Sequence, residues 1–553
     1  MEPAAVFATR LVAALADLGL RTALLSPGSR HTPLAVAFAV EPRIDHHVVW
    51  DERSAAFVAL GAAKATGRPV AVLTTSGTAG AHHLPAIVEA SEARVPLLSI
   101  TADRPPEVRG AGAPQTTDQT RLFGVHVRAF LDPGVPDDDV ARAAPSLAAR
   151  AWAAAVDAPA GPVHLNVPFR EPLTVPEVPA PPEERRHVAG IRVPEPEDLD
   201  RLAARLAGRR VLIVAGGPMR PGFGAAAAMV AAELAAPVLA DVQCRFPSPA
   251  TIHHPDLVVE AFDLHRPDVV LRIGALPTSK ALWRRLEVGD VPQVHLDDVG
   301  ARDPLGTASW TITGDPAATL AALVGRLEPG PEGWLEAWRR EDRRAASHVE
   351  DVLAAAPFPN EPSIARTVHA AAPAGTLVVG SSMPIRDVDA FAGPPRTDLH
   401  VLANRGANGI DGIVATAAGV ALVGEGPVVA LSGDLAVLHD AASLRWVARR
   451  GLDVRLVVVD NDGGGIFHLL PQAETLDEPR FEELFATPHG TDLVAVAEAF
   501  GVPASSTISE AELRRDLVRP GPRLLRLPTD RRANVELQRR LRSPRGARGG
   551  DGT

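Results

Sequence analysis

The sequence predicts an α/β protein built from three doubly wound parallel sheets, and three observations carry that reading. The first third alternates short apolar runs with helix-periodic segments, the βαβ rhythm of a sheet covered on both faces. The rhythm stops in the Pro- and Glu-rich stretch Pro172 to Pro196 and again at APFPNEPS, and restarts after each break. The 553 residues, 46% hydrophobic and 22% charged, suit about three cores of roughly 100–200 residues each. The expected units are 1–180, 190–345 and 355–541, followed by a disordered tail over 542–553.

The elements follow in order. Ala5 to Leu20 carries apolar residues at helical spacing, and Thr22 to Leu25 reads as a strand ended by the turn Ser26-Pro27-Gly28-Ser29. A helix is expected from Thr32, a strand over His47 to Trp50, a helix over Arg53 to Thr66 and a strand over Val70 to Thr74. Gly80 to Ala90 reads as helix and Leu97 to Thr101 as strand. In the middle unit, strands are expected at Arg210 to Ala215, Pro237 to Ala240, Val269 to Ile273 and Gln293 to Leu296, with a charged helix over Trp334 to Leu353. In the last unit they are expected at Leu377 to Val379, His400 to Leu402, Val428 to Leu431 and Arg455 to Val459, with helices over Asp411 to Val423 and Ala436 to Arg449.

Composition narrows the function. One cysteine, Cys244, excludes a disulfide framework and a multi-cysteine metal site, and fits a reducing, cytoplasmic setting. The formal net charge of −11 offers no overall basic footprint for nucleic acid. The opening MEPAAVFATR has no leader pattern, and polar residues interrupt the apolar runs, so no membrane segment is expected. GxGxxG, P-loop and GxSxG patterns are absent.

In doubly wound sheets, ligands bind beyond the carboxyl ends of the strands. Four such ends present an arginine: SPGSRHT with Ser29 and Arg30, ADRPPE with Arg104, GSSMPIR with Ser382 and Arg386, and ANRGANGIDG with Arg405. Any one alone reads as a surface or salt-bridged arginine; four in equivalent places point to a ligand with several carboxylates. Asp434, after Gly433, ends one strand, and Asn461 and Asp462 end the next, 27 and 28 residues later. A carboxylate, an amide oxygen and a turn carbonyl form half an oxygen shell for magnesium, which commonly takes further ligands from a diphosphate and water. The alternative is a capped helix followed by an Asn-Asp-Gly turn. Glu52, in Trp50-Asp51-Glu52-Arg53, reads alone as a helix-opening carboxylate.

Taken together, GDL, the gap and DNDGG resemble the cofactor motif of the three-domain thiamine-diphosphate enzymes. SPGSRHTPLA, VWDERSAAF, TTSGTAGAHHLPAIVEA, TADRPPE, NRGANGIDG and GGGIFHLLP narrow the resemblance to the 2-succinyl-5-enolpyruvyl-6-hydroxy-3-cyclohexene-1-carboxylate synthases of menaquinone or phylloquinone biosynthesis. It runs from about Ala5 to Leu541 and is thin in the middle unit. It implies the thiamine-diphosphate-enzyme type of α/β fold and a homodimer or homotetramer, with the cofactor between the first domain of one subunit and the third of its partner. It implies Glu52 on the pyrimidine nitrogen N1′ and Ile410 propping the bent cofactor. Gly433, Asp434, Leu435, Asn461, Gly463 and Ile466 would contact the cofactor. Asp434, Asn461 and the Gly463 carbonyl would hold magnesium, with manganese as an alternative.

The implied transferase reaction joins 2-oxoglutarate, after loss of carbon dioxide, to isochorismate by 1,4-addition. Ser29, Arg30, Arg104, Gln115, Lys280, Ser382, Arg386, Arg405, Ile466, Phe467 and Leu470 would line the substrate space. Ser382 and Arg386 are expected on the oxoglutarate carboxylate, and Arg30, Arg104, Lys280 and Arg405 on isochorismate. Two departures stand out: Ala281 follows Lys280 where some members carry arginine, and Asp462 replaces an asparagine of some relatives. A 2-oxoacid decarboxylase, an acetohydroxyacid synthase or a non-catalytic binding protein on the same fold are the competing readings.

Overall fold

Each break in the rhythm separates one parallel sheet from the next. The structure, a computed structural model, describes residues 2–174, 180–181, 183–300 and 302–543; part of the Pro-rich stretch and the predicted tail from 544 onward lie outside the described residues. The first sheet holds β1 (Thr22–Leu25), β2 (Asp45–Val48), β3 (Val70–Thr74), β4 (Leu97–Asp103), β5 (Ala129–Leu131) and β6 (Pro162–Pro168). The second holds β7 (Val211–Gly216), β8 (Val238–Ala240), β9 (Thr251–Ile252), β10 (Val269–Gly274), β11 (Gln293–Asp297) and β12 (Ala308–Thr313). The third holds β13 (Gly375–Val379), β14 (Leu399–Ala403), β15 (Val428–Gly433), β16 (Val454–Asp460), β17 (Ala504–Ser506) and β18 (Arg523–Pro528).

The strand orders are β2-β1-β3-β4-β6-β5, β12-β11-β10-β7-β8-β9 and β14-β13-β15-β16-β18-β17. The first and third sheets thus share one order. In both, the chain reverses direction across the sheet beside the first strand, which opens a crevice at the β1/β3 and β13/β15 carboxyl ends.

Several elements depart from expectation for local reasons. β2 begins at Asp45 because it pairs in register with Thr22 of β1; Trp50 falls past its end. The helix expected over Ala436 to Arg449 is two, Asp434–His439 and Ala442–Arg450. The buried Asp440 carboxylate at the break accepts from the Ala415 N–H at 2.9 Å and the Ser443 hydroxyl at 2.7 Å. β6 is buried along its length although it carries His164 and Asn166. Thr101 and Gln119 donate to the Asn166 carbonyl at 2.9 Å each, and the Asn166 amide donates to Asp103 at 2.9 Å, so the Asn166 amide is satisfied at both ends.

The first and third sheets meet through helices Glu52–Thr66 and Ile413–Val423, which share one apolar core. They touch backbone to backbone at glycines. A Cβ on Gly61 would lie 2.1 Å from the Thr416 carbonyl oxygen, and one on Gly419 would lie 2.0 Å from that of Val58. The helix Trp334–Ala354 spans from the second sheet to the third: Trp334 and Trp338 fill the former's core, and Val349 packs with Phe391 and Leu537. Among the described residues, no helix is long and apolar enough to cross a membrane.

Candidate active site

Asp434 stands at the carboxyl end of β15, at the crevice of the third sheet, and is 2% exposed. It does not cap its helix, whose N-cap is Gly433. Instead one carboxylate oxygen accepts from the backbone N–H of Asn461 at 3.1 Å and of Gly463 at 2.9 Å. The other accepts from the Leu435 N–H at 2.6 Å. The aspartate therefore brackets the turn that follows β16 and brings Gly433, Asp434, Leu435, Asn461 and Gly463 together. Burial holds the Asp434 carboxyl above the usual carboxylate range, against the N–H groups of Gly463 and Leu435.

This cluster fits an oxygen-loving cation. The Asn461 amide donates to Glu361 Oε1 at 2.9 Å, while its Oδ1 is buried with no partner. The Gly463 carbonyl accepts from the Gly465 N–H at 3.0 Å and keeps a second lone pair. A Cβ on Gly433 would meet nothing within 4 Å, so the chain leaves open space there. The structure adds two groups that the sequence reading missed. His489 Nε2 lies 3.3 Å from Asp434 and 3.8 Å from Asp460. Ligand atoms of Asp434, Asp460 and His489 fall within 4.8 Å of one another. Asp460 is also engaged by Arg526 Nε at 2.5 Å. Glu361 is fully buried, and burial pushes its carboxyl up to about 7, opposed by the Asn461 hydrogen bond and reinforced by the Asp434 charge. Neither residue belongs to a strand-end motif, so neither gives a local sequence signal.

The arginines divide. Ser382 follows β13 with φ 73°, and Arg386 Nη1 donates to its carbonyl at 2.5 Å. Arg386 and Arg405 are half-buried at the ends of the adjacent strands β13 and β14. Burial, then the nearby Arg405 charge, lowers the pKa of Arg386. Burial lowers that of Arg405 too, against Asp241, Glu89 and Asp389, which belong to the second, first and third units. Arg405 thus sits where the three units converge. Two desolvated cations side by side make a site that a carboxylate relieves.

Arg30 is 6% exposed and already engaged, with Nη1 on the Phe169 carbonyl at 3.1 Å and Nη2 on Glu171 at 3.1 Å. Its Nε and that of Arg104 are buried without partners. Ser29 is exposed beside Arg30. Gln115 is exposed, and its amide donates to the Ser76 carbonyl at 3.0 Å. Lys280 is exposed and opens the helix Lys280–Val288 past the end of β10. Ile466 and Phe467 lie in a 3₁₀ turn over Gly465–Leu469, with Leu470 next to it; all three are half-buried. Ile410 is 39% exposed.

Glu52 opens the helix Glu52–Thr66, with Asp51 capping the Ser54 N–H at 2.8 Å. Its neighbours reach the third unit: Arg53 donates to the His439 carbonyl at 2.7 Å, and Ser54 pairs with Ser443 at 2.8 Å. Among the described residues Glu52 itself has no side-chain hydrogen bond, and none of the third-unit site residues touches it by one. At the other end of this helix, Lys64 Nζ donates to Glu89 at 3.0 Å, to the Ala403 carbonyl at 2.8 Å and to Asn404 Oδ1 at 2.8 Å. Glu89 in turn accepts from the N–H groups of Gly406 at 3.0 Å and Ala407 at 2.7 Å. This buried ion pair grips the backbone on both sides of Arg405.

Comparison with known proteins agrees with the layout. The family described as thiamine pyrophosphate enzyme, N-terminal TPP binding domain, matches residues 6–122, and the corresponding C-terminal TPP binding domain matches 394–520. The chain is 41% identical to the 2-succinyl-5-enolpyruvyl-6-hydroxy-3-cyclohexene-1-carboxylate synthase of Rubrobacter xylanophilus, over 96% of either chain. It is 40% identical to the synthase of the same name from Myxococcus xanthus, over 99% of this chain and 98% of that one. The Geobacillus kaustophilus synthase is 40% identical over 97% of both. With its two thiamine pyrophosphate domains and this near-full-length identity, the chain belongs to the 2-succinyl-5-enolpyruvyl-6-hydroxy-3-cyclohexene-1-carboxylate synthase family.

Proposed function

We propose that the protein is a thiamine-diphosphate-dependent transferase that decarboxylates 2-oxoglutarate and adds the remaining four-carbon unit to isochorismate, in menaquinone biosynthesis. The near-full-length identity to synthases of that name carries the reading. The half-buried Arg386–Arg405 pair supports a substrate rich in carboxylates, since it offers two desolvated guanidinium groups where a smaller neutral substrate would need none.

Thiamine diphosphate, when bound, would supply the nucleophilic carbon and electron sink that decarboxylation of a 2-oxo acid needs. Glu52 would pair with the pyrimidine N1′ and hold its proton. Ile410 would support the cofactor's bend. Asp434, the freed Asn461 Oδ1 and the Gly463 carbonyl would hold magnesium or manganese. Ser382 and Arg386 take the oxoglutarate carboxylate; Arg30, Arg104, Lys280 and Arg405 take isochorismate, with Ser29 and Gln115 beside them. For Arg30 this means that a substrate carboxylate competes with the exposed Glu171. Ile466, Phe467 and Leu470 exclude water.

A homodimer at least, with units at 1–180, 190–345 and 355–541, completes this site. Among the described residues Glu52 has no side-chain hydrogen-bond partner, and the large apolar side chains near it in sequence, Val48 and Trp50, are 58% and 53% exposed. A cytoplasmic location fits the single thiol, Cys244, which is buried.

Product formation, followed by mass, tests the reaction. With thiamine diphosphate and magnesium, 2-oxoglutarate plus isochorismate yields the adduct, and 2-oxoglutarate reacts better than pyruvate; the reverse preference sinks the assignment in favour of a smaller-substrate decarboxylase. Asp434→Ala is expected to weaken magnesium-dependent cofactor binding at least about 100-fold in a fluorescence titration. Unchanged affinity would remove Asp434 from the metal site.

A further inference from the structure

We propose that Glu361 is a positioning residue for the cation: it fixes the Asn461 amide so that Oδ1, rather than Nδ2, faces the metal. This rests on the reading above that Asn461 Oδ1 is a ligand. An asparagine amide is nearly symmetric in shape, so its two ends exchange places by a half-turn at little steric expense. Only one end binds a cation; the other presents two hydrogens to it. Something in the protein must select the end.

Glu361 has the chemistry and the place to do so. It is the first residue of the helix Glu361–Ala371, is 3% exposed, and lies 100 residues from Asn461 in the chain. Its Oε1 accepts from Asn461 Nδ2 at 2.9 Å. A carboxylate oxygen that accepts from Nδ2 holds the amide's donor end and so turns the oxygen away. The far end is then Oδ1, buried and without a partner. Gly465 closes the other side: a Cβ there would lie 2.6 Å from Nδ2, so the amide is wedged between the carboxylate and the turn. Partners that orient a ligating group in this way commonly matter 10–100-fold for metal affinity.

The test uses full-length protein stripped of metal and cofactor, with Mn²⁺ titrated at saturating thiamine diphosphate and bound ion read by electron paramagnetic resonance. Glu361→Met is expected to weaken Mn²⁺ binding by about 10–100-fold. Glu361→Gln, whose amide oxygen still accepts from Nδ2, is expected to stay within about threefold of wild type. The melting temperature of the metal-free Met variant separates loss of orientation from loss of fold. The exchange variant decides the matter even if Glu361→Met does not fold. Asn461→Asp sets two carboxylates face to face and is expected to bind Mn²⁺ poorly, whereas Asn461→Asp combined with Glu361→Gln restores a donor–acceptor pair and recovers most of the affinity. Equal affinity of wild type and Glu361→Met, or no gain from the exchange, overturns the proposal. A wild-type protein that binds no Mn²⁺ at all instead overturns the metal site itself.

Discussion

Glu52→Gln is expected to lower turnover by about 10²–10⁴-fold while changing cofactor affinity only a few-fold. The side chain stands in the first turn of its helix, its backbone held by the Asp51 cap and its flank by Arg53 and Ser54 on the third unit. It is therefore placed rigidly but left unpaired among the described residues. Glutamine has the same shape and still offers a hydrogen bond, so the cofactor binds. It cannot carry the proton of N1′, the step proposed above for the carboxylate. Steady-state kcat together with a cofactor titration separates the two effects. Turnover near wild type would take Glu52 out of the chemistry, whatever its position.

Lys64→Met is expected to destabilise the protein by about 3–5 kcal/mol, read as a fall in the thermal unfolding midpoint. Lys64 and Glu89 are 7% and 4% exposed at their side chains, so the variant strands a carboxylate in the interior. It also releases the Ala403 carbonyl and Asn404 from their donor. The loop that follows carries Arg405 and Ile410, so KM for the substrates should rise along with the loss of stability. The double variant Lys64→Met/Glu89→Leu removes both charges and is expected to regain much of the stability but not the KM. If the single variant melts like wild type, the pair does not hold the two units together.

Much of this was legible in the residues, and the failures share a cause. The three-sheet plan follows from the alternation of apolar runs with helical periods, because a strand buried on both faces must be apolar throughout. β6 and β18 escaped that rule: β6 carries His164 and Asn166, and β18 carries Arg526, polar groups whose partners come from distant parts of the chain. The strand ends that carry Asp434, Asn461, Arg386 and Arg405 were readable because each follows its strand within seven residues. Glu361, His489 and the Lys64–Glu89 pair act on those ends from 55 to 340 residues away in sequence, and no spacing reports such a contact. Lys64 was visible only as one of two lysines among many arginines. The reason for lysine there is geometric: three acceptors surround one compact ammonium, which a planar guanidinium could not satisfy in the same volume.

The glycine contact between the two central helices has a consequence for how this protein can drift over generations. Gly61 and Gly419 each face a carbonyl oxygen of the opposite helix, a group that cannot shrink or rotate away. Neither position accepts even a methyl group unless the whole helix pair separates, and separation would carry Glu52 and Lys64 with it, since both sit on one of the two rods. No single compensating change elsewhere restores the gap. Lineages of this protein are accordingly free to rewrite its arginine-rich surface, but at these two positions the only viable genetic history is one of no change.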